Sequence, residues 1–355
     1  MEEIFLKKEL IKIFQVSAVF IGTIVGAGLA SGKEITHFFT SFGLASFFGI
    51  ILCGLFYILL CNIISEISLN YNLDSYSDVI KVVSPNILGK FTGVITTVYL
   101  ISSASIILAG SGALLNQCFG IPKIIGTLIM AVIAILTLLK GTDGLIGINS
   151  IIVPSLIIII GTIFIMYTLF NKDTITLSML QGKVGQEGNW LVSSILYAGY
   201  NVLCCSGVLV PLSTKVKNKK SMFWGITLGS IGLTILCIAI NFMLMLNQPQ
   251  IYEYQVPLLY IANRFGRVIQ FLLMGIIWCE MFSTEVSDIY SISKTLDNTF
   301  NIKYKHSIFI VIAIAIPISQ IGFGNLIEVL YPLFGVLSLI FIFQCIYFYI
   351  RKCKN

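Results

Sequence analysis

Apolar residues fill this chain in ten long runs, separated by short clusters of Lys, Pro, Gly and Asn. Each run is close to or above the roughly 20 residues that cross a ~30 Å hydrocarbon core as a helix. They predict membrane spans at roughly 11–36, 43–68, 90–118, 122–140, 145–170, 189–212, 222–246, 258–293, 306–322 and 326–350. The longest connection, 171–188, carries Lys172, Asp173, Lys183 and Glu187. It divides the chain into a first unit, 1–170, and a second, 189–355, of five spans each. With an odd number of spans per unit, the second unit enters the membrane from the opposite side to the first. The predicted fold class is an all-α membrane protein with ten transmembrane helices in a five-plus-five inverted repeat.

Two runs are interrupted in equivalent places. In the first span, Val19 to Glu34 contains Gly22, Gly26 and Gly28, and in the sixth the interruption is Tyr197-Ala198-Gly199-Tyr200-Asn201. Paired interruptions of this kind point to the binding site of a secondary transporter. A mid-span break frees backbone N–H groups that face anions and C=O groups that face cations. Gly26, Ala27 and Gly28 are placed to offer N–H groups to a carboxylate, and Gly22 and Val25 to offer carbonyls to a cation. The competing reading is packing, because Gly22-x-x-x-Gly26 and Gly28-x-x-x-Gly32 also fit the small-residue pattern of closely crossing helices. The predicted breaks are in helices 1 and 6, with Tyr197, Gly199, Tyr200 and Asn201 lining a solute pocket.

The eighth span adds a polar stripe. Glu280, Ser283, Thr284, Ser287 and Ser291 follow i, i+3, i+4, i+7 and i+11 and share one helix face. Adjacent hydroxyls one turn from a mid-span carbonyl suit a small hard cation that seeks oxygen ligands. Intramembrane carboxylates usually mark a pathway, and Glu280 is the deepest, so it is the candidate for titrating a proton or attracting a cation. Asp288 is expected near a hydrated cytoplasmic mouth; for Glu285 that placement is the alternative to a pathway role. Small residues dominate the third span, where packing explains most of them and Ser103, with Tyr99, is a candidate pocket residue. Lys33 and Glu34 are expected roughly 12 Å from the break at 1.5 Å per residue, near the outer interface, with Lys33 snorkelling to headgroups. Glu66 and Glu328 read as edge residues.

Composition agrees with a membrane protein: 57% of residues are hydrophobic and 11% charged, and the mean hydropathy is +0.96, far from the usual soluble balance. The net charge of +6 lies in loops between spans and is no nucleic-acid footprint. Of the 22 basic residues, all but Lys33, Lys123, Lys172, Lys183, Arg264 and Arg267 fall in inner segments when both termini face the cytoplasm. This predicts a multi-pass protein of the cell membrane. The N-terminus lacks a signal-peptide cleavage site, so the first span is expected to stay. Nine cysteines without a Cys-x-x-Cys pair and two histidines exclude a disulfide framework and a conventional zinc site. No constellation of nucleophile, base and metal suggests an enzyme, and no cofactor is expected beyond Na+ or H+ as coupling ion.

The run from Gly22 to Glu34, Gly-Thr-Ile-Val-Gly-Ala-Gly-Leu-Ala-Ser-Gly-Lys-Glu, resembles the first span of YkvI-type bacterial membrane proteins. They form an uncharacterised branch of the amino acid–polyamine–organocation superfamily. The likeness extends over nearly the whole chain and implies a LeuT-type inverted repeat, with spans one and six unwound around a central solute. It implies that the amides of Gly26, Ala27 and Gly28 hold a substrate carboxylate. It also implies a sodium site made by the carbonyls of Gly22, Val25 and Glu280 and the hydroxyls of Ser283 and Thr284. Proton-coupled relatives place a lysine on the fifth span at that ion position. Asn149 to Phe170 contains none, which favours sodium, while Glu280 keeps a proton in play.

The function expected on these grounds is cation-coupled transport of an amino acid or related small organic solute by alternating access. The alternative is a non-transporting solute sensor or assembly component, resembling germinant receptors, on the same fold. The expected partners are a small-molecule substrate and the bilayer, with no nucleic acid. A channel ranks low for want of a repeated filter motif.

Overall fold

The structure is a computed structural model that describes residues 2–84, 87–140, 145–172 and 188–352. Most of the predicted connection, with Asp173, Lys183 and Glu187, lies outside the described residues. The helices are α1 (Glu2–Ser31), α2 (Lys33–Phe38), α3 (Ala45–Tyr71), α4 (Tyr76–Val83), α5 (Ile87–Phe119), α6 (Lys123–Lys140) and α7 (Leu145–Phe170). They continue with α8 (Trp190–Val216), α9 (Lys219–Met245), α10 (Pro257–Asn263), α11 (Arg267–Phe300), α12 (Tyr304–Ser319) and α13 (Phe323–Lys352). Among the described residues, nine helices are long and apolar enough to span a bilayer, and α12 is a shorter apolar helix.

Lipid tails are as apolar as leucine, so burial of hydrophobic surface alone cannot hold such helices together; close packing must. The chain achieves it with glycine. A Cβ on Gly225 or Gly229 of α9 would meet Val16 at 2.5 Å or Phe20 at 2.8 Å on α1. Likewise, Gly126 of α6 sits against Gly112 of α5, 2.9 Å from an added Cβ to the Gly112 Cα. The small residues expected to serve packing in the third span therefore do so. Large apolar side chains such as Phe48, Leu55, Leu59, Ile158 and Ile235 remain exposed around the outside, where lipid covers them.

Element boundaries differ from the predicted spans at three points. The first span ends at Ser31, and a separate short α2 follows a left-handed Gly32 (φ 81). The predicted eighth span splits at Arg264–Gly266 into α10 and the long α11. The connection after α3 contains α4, whose N-cap Ser75 accepts a hydrogen bond from the Asp78 amide, a capping signal that the apolar-run reading passed over.

The sixth span departs further. Instead of breaking at Gly199, α8 runs as one helix from Trp190 to Val216. Asn201 is buried, and its Nδ2 donates back to the Tyr197 carbonyl at 3.0 Å, within the helix. A Cβ on Gly199 would lie 2.6 Å from Ser338 Oγ and 3.3 Å from the Gly335 carbonyl of α13. Here the packing reading is the right one, because the glycine lets α8 and α13 approach at backbone distance.

That contact is stringent from both sides, since a Cβ on Gly335 would sit 2.6 Å from the Leu196 carbonyl. Replacement Gly335→Val is expected to cost about 1–3 kcal/mol by overpacking. At Gly207, where a Cβ meets nothing within 4 Å, Ala is expected to be neutral or better. Thermal melts of the two purified variants check the contrast.

Candidate functional site

The first-span interruption narrows to one residue. Gly26, at φ 29 and ψ −177, is the non-helical point inside α1, a conformation that costs any residue bearing a Cβ. The segment on its C-terminal side, residues 27–36, is buried without exception. On its N-terminal side the picture differs: Gly22, Thr23 and Gly26 are partly accessible, as are Ser103, Cys204 and Thr284 from neighbouring helices. A Cβ on Gly26 would meet nothing within 4 Å, so open space adjoins the break.

The buried side is filled by this chain's own carboxylate. The αL turn at Gly32 reverses the backbone, so α2 folds back toward the break instead of continuing outward. Glu34 then lies across Gly28, and a Cβ added there would fall on the Glu34 carboxyl group. The Tyr197 hydroxyl donates to Glu34 Oε2 at 2.9 Å, and the Tyr331 hydroxyl bonds the same carboxylate. The Tyr200 and Tyr331 hydroxyls also pair with each other. Glu34 is 2% exposed and Lys33 6%. Both were expected at the outer interface; the 12 Å separation held only for a straight helix, and Gly32 removes it. Lys33 does not snorkel: its Cε and Nζ lie against Gly324, beside Gln255.

Aromatic rings surround the carboxylate. Tyr197 packs against Phe38 and Phe39, each with centroids at 5.1 Å. Tyr200 stacks on Tyr331 at 4.1 Å, and Tyr99 stands edge-on to Tyr200 at 5.7 Å and to Phe334 at 5.3 Å. Tyr197 and Tyr200 thus line this place from an intact helix, while Gly199 and Asn201 serve the helix and its packing. Burying an unpaired carboxylate costs several kcal/mol. Phenol hydrogen bonds to the carboxyl group offset part of that cost.

Below this cluster lies α11, which packs against α1. Thr284 Oγ1 donates to the Glu280 carbonyl at 3.0 Å, and Ser283 is 1% exposed. Glu280 is 2% exposed, and its Oε2 has no hydrogen-bond partner. Gly22 abuts Val153 of α7, 2.6 Å from an added Cβ, and Val25 immediately precedes the break. Glu285 is fully buried, against the alternative of a hydrated mouth, and neither carboxyl oxygen has a partner. Asp288 is half-buried rather than freely hydrated, with Ser103 as hydrogen-bond partner and Oδ2 unpartnered. Among the described residues, no three His, Cys, Asp or Glu side chains gather into a metal-binding group.

The chain is 31% identical to the uncharacterized membrane protein YkvI of Bacillus subtilis (strain 168) over 328 residues, 92% of this chain and 93% of that protein. The chain belongs to the YkvI family. No protein-family model matches it. Among solved structures, MhsT in complex with L-phenylalanine is similar at a TM-score of 0.67 and 14% identity, covering 94% of this chain and 88% of that one. A manganese transporter of Eremococcus coleocola is similar at 0.63 and 16%, covering 94% and 78%. These similarities place the YkvI-family chain in the LeuT-type fold. Tyr331 is the residue of this region that the apolar-run reading missed, and Glu34 the one it misplaced. The available signal was Gly32, one turn beyond Gly28, followed closely by an acid.

The contact between Gly28 and Glu34 predicts non-additive energetics. Gly28→Ala is expected to destabilise the protein by about 1–3 kcal/mol. In a Glu34→Ala background most of that cost should vanish, giving a coupling energy above about 0.5 kcal/mol in a thermal double-mutant cycle.

Proposed function

We propose that this YkvI-family protein is a secondary active transporter, coupled to a cation, for an amino acid or related small organic solute. The observation that carries the reading is the asymmetry about Gly26. A glycine-broken helix inside the bundle is buried on its outer side through residues 27–36 and partly accessible on its inner side. Alternating access requires such a site, reached from one side at a time. The buried outer segment and the open space at Gly26 correspond to the inward-facing form. Ten spans in a five-plus-five inverted repeat, with α8 the counterpart of α1, and a multi-pass placement in the cell membrane with both termini cytoplasmic complete the proposal.

Solute binds beside Gly26, between α1, α5 and α8, with Tyr99, Ser103, Tyr200 and Cys204 at hand. The coupling ion sits against α11, where carbonyls of Gly22, Val25 and Glu280 and hydroxyls of Ser283 and Thr284 hold it. It links α1 to α11, so ion binding and the angle between these helices are one equilibrium. Sodium fits this oxygen donor set, and Glu280, buried with a free oxygen, offers the alternative of a proton. An organic solute is favoured over a transition metal by the want of a metal-binding group among the described residues.

Sodium at about 100 times its Kd is expected to stabilise the purified protein by roughly 2.7 kcal/mol. Thr284→Ala should abolish this rise and lower sodium-driven uptake of labelled solute into proteoliposomes by tenfold or more, about 1.4 kcal/mol. Binding of a solute with no accumulation under either a sodium or a proton gradient would favour a sensor and overturn transport.

A further inference from the structure

We propose that Glu34 determines specificity at the Gly26 site, supplying the carboxylate from within the chain and so selecting small organic amines that lack a free carboxylate. The inference rests on the transport reading above and narrows its substrate class. Amides freed at Gly26–Gly28 form a seat for an anion. That seat is taken: the Glu34 side chain lies over Gly28, held by Tyr197 and Tyr331. With Glu34 ionised, a solute carboxylate brought to about 4 Å from it would lose up to roughly a thousandfold in affinity by like-charge repulsion. An ammonium at the same distance gains by the same interaction.

The surrounding charge agrees. Among the described residues, the buried charged side chains are Lys33, Glu34, Glu280 and Glu285. Lys33, the sole base of the four, is directed away from the break toward Gly324 and Gln255. Glu280 and Glu285 hold carboxylate oxygens with no partner, and Asp288 lies near Tyr99 and Cys204 on the inner side. The interior is therefore rich in carboxyl groups, whose ionised form an incoming cation favours. The rings of Tyr99, Tyr200 and Tyr331 add π faces for an ammonium group. One end of the solute then meets Glu34, and its body lies along the tyrosines. Asp288, on the far side of Cys204, accommodates a second positive group.

Matched pairs separate this class from ordinary amino acids, because each pair differs only in the carboxylate. Phenylalanine with phenethylamine, histidine with histamine and lysine with cadaverine would be compared by thermal shift of the purified full chain, with uptake into proteoliposomes alongside. At least one amine is expected to raise the melting temperature of the wild type while its parent amino acid does not. Glu34→Gln, nearly isosteric, should weaken that amine by roughly 30-fold or more. Glu34→Ala vacates the seat and should gain a response to the parent amino acid. A wild type stabilised by amino acids and not by amines overturns the inference and leaves transport standing. An amine response that survives undiminished in Glu34→Gln overturns the role of Glu34. Silence toward every pair in all three proteins, with no uptake, overturns the inference and the transport reading together.

Discussion

A carboxylate folded back onto a broken helix governs the centre of this protein. Glu34 reaches Gly28 because Gly32 turns the chain, and it stays there because Tyr197 from α8 and Tyr331 from α13 hold it. Three segments distant in sequence are thus tied to one buried carboxyl group. In a low-dielectric interior such a tie is strong when complete and costly when any partner is lost. The continuous burial of residues 27–36 accompanies it. Open space at Gly26 is its counterpart on the N-terminal side of the break.

The rest of the bundle is organised to permit that arrangement. Glycine contacts between α1 and α9, α5 and α6, and α8 and α13 bring helices to backbone distance without a hydrophobic driving force. They fix the frame within which the short α2 can be packed inward. The structural similarity to MhsT and to a manganese transporter concerns this frame. The side chains gathered at the break of this chain are carboxyl groups and tyrosines.

Hydropathy made the membrane class legible, and Gly26 was visible as an irregularity in a helical run. Tyr197, Tyr200 and Ser103 were also placed near the centre. Gly199 was misread because glycine has two uses in a membrane helix, release of the backbone and close approach, and the sequence pattern is the same for both. Only the neighbour reveals which applies, and at Gly199 that neighbour is Gly335, more than a hundred residues away. Glu34 was misplaced for a different reason: 1.5 Å per residue presumes a helix, and one left-handed residue cancels that presumption. For Glu285 a hydrated mouth stays an alternative until the packing around α11 shows it buried.

The central claim concerns atoms that an experimental map resolves directly. A cryo-electron microscopy structure of the full chain in a lipid nanodisc should show α1 interrupted at Gly26, with the Glu34 carboxyl group over Gly28 and within hydrogen-bond distance of the Tyr197 and Tyr331 hydroxyls. A straight first helix through Gly26 that carries Glu34 out to the headgroups would contradict the account.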